Sequence, residues 1–136
     1  MTHHWPIRVY YEDTDLAGIV YYANYLRFIE RARSEMVRAA GVDQVALKAA
    51  GLVFAVRRVV ADYLAPARYD DQIEVRSRLT GLKGASLVML QEVWCDETLL
   101  FTATVTLVVL NAEGRAARLP ADIRARLAPF TADDSA

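Results

Sequence analysis

The sequence predicts an α+β fold built on one mainly antiparallel sheet. Three observations carry that expectation. One long stretch holds its apolar residues at the roughly 3.6-residue helical period, four strand-like runs follow it, and Gly- or Pro-containing breaks separate those runs. A chain of 136 residues fits a single domain. We read it as residues 1–130, followed by a polar, acidic, disordered tail over 131–136.

Residues 7–11 supply the first strand, because Ile7, Val9, Tyr10 and Tyr11 are β-branched or aromatic. An acidic loop, 12–18, comes next. Residues 24–40 then place Tyr25, Phe28, Ile29, Ala32, Met36 and Ala40 on one helical face, with Arg27, Glu30, Arg31, Arg33, Glu35 and Arg38 opposite. At about 1.5 Å per residue this helix is ~25 Å long. Gly41 stops it, since glycine takes the left-handed conformation that ends helices. Asp43 is placed to cap a second, short helix that closes at Gly51. Residues 53–64 read as a strand broken by Pro66. Ile73, Val75 and Leu79 then alternate with Glu74, Arg76 and Arg78, the pattern of a half-exposed strand. Residues 86–95 form another. The longest strand, 99–110, puts Phe101, Ala103, Val105, Leu107 and Val109 on one face and Thr102, Thr104 and Thr106 on the other. Gly81, Gly84 and residues 111–114 supply turns, and Pro120, Ile123 and Leu127 mark a short C-terminal helix. One helix covers only one face of one sheet. The bare face and edges therefore invite a second copy of the chain, as a homodimer or homotetramer.

Composition excludes several classes. A net charge of −1 lacks the basic footprint of a nucleic-acid binder. A single Cys forms no internal disulfide, and two His with one Cys do not complete a Cys/His zinc site, so no metal is expected. No apolar run approaches the ~20 residues of a membrane span. Pro6 and Arg8 stand where a secretion signal would be apolar, so a cytoplasmic location is expected. Of 16 cations, 14 are Arg. Arg suits phosphate recognition, although genomic base composition explains the excess as simply.

The densest chemistry lies in residues 10–25, Y-Y-E-D-T-D-L-A-G-I-V-Y-Y-A-N-Y. Glu12, Asp13 and Asp15 fall within four residues of one another, just ahead of a helix. Carboxylates there face free backbone N–H groups, and the plain reading of them is helix capping. With Tyr11, the D-T-D of 13–15, Gly18-Ile19-Val20-Tyr21, Asn24-Tyr25 and the E-R-A-R of 30–33, this stretch resembles the signature of hotdog-fold acyl-CoA thioesterases. It is most similar to the 4-hydroxybenzoyl-CoA thioesterase family and its branch associated with the Tol–Pal system. The resemblance continues through residues 63–71 and 83–87 to Leu119-Pro120.

That resemblance implies a hotdog fold, an antiparallel sheet of about five strands wrapped around one long helix. It implies hydrolysis of an acyl-CoA thioester to free acid and CoA, with coenzyme A as part of the substrate and no separate cofactor. The family's catalytic carboxylate falls on Asp15, acting as general base toward water or as nucleophile. Its carbonyl-polarising helix N-terminus falls near the backbone N–H of Tyr22. Gly18, Val20 and Tyr25 fall in the substrate-binding part of the signature. Lys83, Gly84 and Ser86 fall in a turn the family uses near the CoA phosphates, where Gly84 permits close backbone approach. Arg118 is a further candidate for phosphate. Arg58, beside Arg57 in an apolar strand, is expected near a charge or ligand. The Tol–Pal branch usually has His where this chain has Tyr22, so no imidazole is available there. His3 and His4 lie outside the helix region, which disfavours the histidine-dependent hotdog dehydratases. Ser86 lies in no nucleophile elbow, and Cys95 has no recognisable His partner. The alternative function is a non-catalytic module of the Tol–Pal envelope system that binds acyl thioesters or acyl carrier protein.

Overall fold

The strand runs become one five-stranded sheet in the computed structural model, which describes residues 1–131. The strands are β1 (His3–Arg8), β2 (Val53–Tyr63), β3 (Gln72–Leu82), β4 (Ser86–Cys95) and β5 (Thr98–Leu110). Their order is β1-β3-β4-β5-β2, antiparallel at every pairing. Three helices accompany them: α1 (Asn24–Ala39), α2 (Gln44–Ala49) and α3 (Ala121–Leu127). The sheet wraps around α1, the hotdog arrangement. Thr131 closes a last 3-10 turn, Ala128–Thr131, and the remainder of the expected tail, 132–136, lies outside the described residues.

The first strand is displaced from its expected place. It spans His3–Arg8, pairing with β3 from His3↔Ser77 to Arg8↔Gln72. Tyr10 leaves the strand because Asp13 Oδ2 accepts its N–H at 2.9 Å and starts a 3-10 turn over Tyr11–Asp13. The short helix follows its expectation more closely. Asp43 accepts from the Val45 and Ala46 N–H groups, and Gly41 and Gly51 take positive φ at the two helix ends.

Burial explains how α1 is held. Its Tyr25, Phe28, Ile29, Ala32, Met36 and Val37 are buried against Val75, Leu79, Met89, Val93 and Phe101 of the sheet. Each large side chain so buried contributes about 1.5–3 kcal/mol. Ser77 and Gln91 are the buried polar residues among those described, and they satisfy one another. Gln91 Nε2 donates to the Ile29 carbonyl at 2.8 Å and to Ser77 Oγ at 2.9 Å. Arg33, assigned by periodicity to the polar face, turns inward instead and donates to Gln91 Oε1 at 3.0 Å. Among the described residues, the i,i+3 ion pair of this helix is Arg38–Glu35.

α1 packs chiefly on β1, β3 and β4 and leaves most of β2 uncovered. On the helix side of that strand Val56, Val59 and Tyr63 stay 48%, 40% and 49% exposed. On its other side Val53 and Val60 are exposed too. β2 is a sheet edge, so this apolar strand also presents unpaired backbone groups. Among the described residues, no helix is long and apolar enough to cross a membrane.

Two local features give testable effects. At Gly41 (φ +82°) an added Cβ would stand 2.7 Å from Arg126 Nη1. Gly41→Ala is therefore expected to destabilise the fold by about 1–2 kcal/mol, the cost of a side chain in the left-handed region, visible in a thermal melt. Glu74 sits on the outer sheet face, where His4 Nδ1 and Arg76 Nε each lie 2.8 Å from its Oε1. The His4 hydrogen bond, then Arg76, hold its carboxyl below the usual carboxylate range. The folded state thus binds this proton less readily than the unfolded chain. The resulting stability is present above the unfolded carboxylate pKa and lost as pH falls through the folded value. Glu74→Gln is expected to lower stability slightly near neutrality and not at all once Glu74 is protonated, as denaturant titrations at several pH values would show.

Candidate active site

The acidic loop folds back on itself before α1. Thr14 bridges Val20, Ile19 bridges Arg68, and the Asp15 N–H donates to the Ile19 carbonyl at 2.9 Å. Gly18, at φ +79°, closes the tight turn and donates its N–H to the Asp15 carbonyl. The three carboxylates then part company. Asp13 is used as scaffolding: its side chain holds Tyr10, and its carbonyl accepts from the Tyr21 N–H and from Asn24 Nδ2, each at 2.9 Å. Glu12 is exposed. Asp15 lines a cleft. Its Oδ1 accepts from the Ala17 N–H at 2.9 Å, which leaves Oδ2 without a partner among the described residues.

That cleft, about 360 Å³, is lined by Asp15, Ile19, Val20, Tyr22, Tyr25, Tyr63 and residues 64–66. Tyr25 is its floor. The ring is buried, stacks on Phe101 at 5.0 Å, and its hydroxyl accepts the Ala67 N–H at 3.0 Å. Burial pushes the Tyr25 and Tyr63 phenols above their ordinary value. Tyr21 is raised chiefly by its hydrogen bond with Tyr22. These three phenols are therefore neutral at physiological pH and offer O–H donors.

The capping expectation fails for α1. Its N-cap is Ala23, which has no side-chain oxygen, and no side chain caps this end. Among the described residues the Tyr22 and Ala23 N–H groups have no acceptor. The helix thus opens on the cleft with free donors and its positive dipole end.

The remaining predicted residues lie elsewhere. Lys83 and Gly84 form the β3–β4 turn, where Gly84 O accepts the Leu119 N–H at 2.8 Å. Ser86 begins β4, and Arg118 Nη1 lies 3.9 Å from the position a Cβ would take on Gly84. Arg124, which the sequence reading missed, completes this basic cluster. Its guanidinium donates to the Leu82 and Lys83 carbonyls. Nothing local in the sequence pairs Arg124 with a turn some 40 positions earlier. Arg58 belongs to neither group. A bulge at Arg57 leaves Arg58 exposed opposite Thr106, on the sheet's outer face with the other threonines. Neither of these arginines has an ion-pair partner among the described residues.

One chain does not bring the two groups together. The cleft lies at the Tyr63–Phe101 rung, and the Lys83 turn beyond the Ser86–Val108 rung. Seven steps of β5 separate those rungs, ~23 Å at roughly 3.3 Å per residue. No group of three or more metal-ligating side chains occurs among the described residues.

The chain is similar to known proteins in sequence and in fold. Residues 9–127 match the model of the Thioesterase-like superfamily. The acyl-CoA thioester hydrolase YbgC of Escherichia coli O6:H1 is 47% identical over 105 residues, which span 77% of this chain and 78% of that protein. The acyl-CoA thioesterase YbgC of Haemophilus influenzae is 38% identical over 108 residues, 79% of each chain. Among solved structures, a probable thioesterase from Bartonella henselae superposes with a TM-score of 0.84 at 38% identity, covering 88% of this chain and all (100%) of that one. A 1,4-dihydroxy-2-naphthoyl-CoA thioesterase from Synechocystis, at 21% identity, shares the fold with a TM-score of 0.88 over 98% of this chain and 100% of its own. With the family match spanning the loop, α1 and four of the five strands, the chain belongs to the thioesterase-like superfamily.

Proposed function

We propose that this protein hydrolyses acyl-CoA thioesters to a free acid and coenzyme A, with Asp15 as the catalytic carboxylate. The observation that carries the reading is that Asp15, with one oxygen unpartnered, and Tyr22, with its N–H lacking an acceptor, line one cleft, and that the next N–H in the chain, of Ala23, also lacks an acceptor among the described residues. The N–H groups at Tyr22 and Ala23 receive the carbonyl oxygen as it gains negative charge. Asp15 takes a proton from water as the water oxygen bonds to the carbonyl carbon, or attacks that carbon itself to give an anhydride that water then opens. In either case the carbon–sulfur bond breaks, and coenzyme A leaves as a thiolate that takes up a proton. No imidazole, thiol or metal is required.

The active unit in this reading is a homodimer, alone or within a tetramer. An antiparallel pairing of two β2 edges sets the Tyr63 end of one chain beside the Val53 end of the other. It covers the exposed Val56, Val59 and Val60, and it brings a partner's basic turn toward the cleft. The charges at Lys83, Arg118 and Arg124 then face the phosphates of the substrate.

The test is release of free thiol from short, long and aromatic acyl groups carried on coenzyme A and on acyl carrier protein. Hydrolysis of at least one CoA thioester is expected. Tight binding without turnover across the whole panel would replace this reading with that of a binding module.

A further inference from the structure

We infer that Tyr63 is a positioning residue, whose hydroxyl fixes the peptide that begins α1 and so aims the carbonyl-polarising amides. The inference rests on the thioesterase reading above for its chemistry, and on three observations for its geometry.

First, Tyr63 Oη donates to the Tyr22 carbonyl at 2.9 Å, tying the end of β2 to the last residues before α1 across 41 positions of sequence. Second, this bond is not one that burial imposes. Tyr63 is 49% exposed, so water would satisfy its hydroxyl. Third, among the described residues the hydrogen bonds that hold the backbone at the entry to α1 use carbonyls as acceptors. Tyr21 N–H and Asn24 Nδ2 both go to Asp13 O, Asn24 N–H goes to Tyr21 O, and Tyr63 takes Tyr22 O. A conventional Ser, Asp or Asn cap would fix the same turn by accepting its N–H groups. Here the turn is held through its carbonyls, and the Tyr22 and Ala23 N–H groups ahead of the helix stay without an acceptor among the described residues.

The geometry of the peptide makes this bond effective. The Tyr22 carbonyl and the Ala23 N–H belong to one planar unit, so fixing the oxygen fixes the direction of the hydrogen. A donor hydrogen-bonded to the carbonyl also polarises the N–H of the same unit. The Tyr63 ring is in turn located by Tyr25 and Phe101, with ring centroids 5.5 and 5.0 Å away in edge-on arrangements. Aromatic core, hydroxyl and peptide thus form one chain of contacts from the buried floor of the cleft to its polarising edge.

Tyr63→Phe tests this, since it keeps the ring and removes only the hydroxyl. For any CoA thioester the wild type hydrolyses, kcat is expected to fall about tenfold, with KM within twofold. The loss should be alike for short and aromatic acyl groups, because the lesion acts at the shared carbonyl. Backbone ¹⁵N order parameters at Tyr22 and Ala23 are expected to fall, with the melting temperature within a few degrees of wild type. Unchanged kcat, or a rise in KM that depends on the acyl group, would overturn the assignment, as would unchanged order parameters at both amides. Backbone relaxation needs no substrate, so it decides the positioning role even if the whole panel goes unhydrolysed, a result that would instead remove the thioesterase reading.

Discussion

Asp15→Asn is expected to lower kcat by about 100- to 10,000-fold, the range that a positioned proton acceptor supplies. The substitution is conservative in structure for a specific reason. Asp15 Oδ1 accepts the Ala17 N–H, and the Asn Oδ1 accepts it equally well, so the turn that carries the residue survives. Asp15 is exposed, so no packing is lost. What disappears is the negative charge on Oδ2, which has no protein partner to satisfy. KM is expected to move little, and the melting temperature to stay near that of the wild type. Thiol release followed under saturating substrate checks the first point, and a thermal melt the second. Turnover equal to wild type would remove Asp15 from the mechanism. A single turnover in ¹⁸O-water then tests the covalent route: label found in Asp15 marks an anhydride that water opened at the Asp15 carbonyl.

Phe101→Ala is expected to destabilise the protein by about 3–5 kcal/mol, the range for emptying a buried aromatic site. That is a large share of the roughly 5–15 kcal/mol that holds a domain of this size together. Phe101 is 0% exposed and stands near the start of β5, stacked on Tyr25 and edge-on to Tyr63. The surrounding sheet is hydrogen-bonded on both sides, to β4 and β2, so it cannot collapse into the space. Urea titration measures the loss directly. Because Tyr25 and Tyr63 line the cleft, folded Phe101→Ala protein is also expected to lose activity, whereas Gly41→Ala, far along α1, lowers stability alone.

Much of the fold was legible because its signals are local. The buried face of α1 follows from residues spaced three and four apart, and that of β5 from strict alternation. Asp43 and Gly51 mark the ends of α2 by their own side-chain chemistry. Asp15 was singled out through a motif resemblance; spacing alone could not separate it from Asp13, which holds the loop together in the structure. Other features were not legible because they depend on partners distant in sequence. Arg33 turned inward because buried Gln91, 58 residues later, needed a donor. The first strand shifted because Asp13 captured the Tyr10 N–H.

By itself, then, the sequence determined the helical and strand periods, the class of fold, the family and the identity of a candidate carboxylate. These depend on neighbours within a turn or two of chain, or on a motif carried in order. Only the tertiary structure decided which donors at the start of α1 remain free, that Tyr63 holds the peptide there, and that the Asp15 cleft and the Lys83 turn lie at opposite ends of the sheet. The physical reason is common to all three. Hydrogen-bond satisfaction and distance across a sheet are set by strand order, and β1-β3-β4-β5-β2 follows from how the whole apolar face closes over α1, a property no single segment encodes.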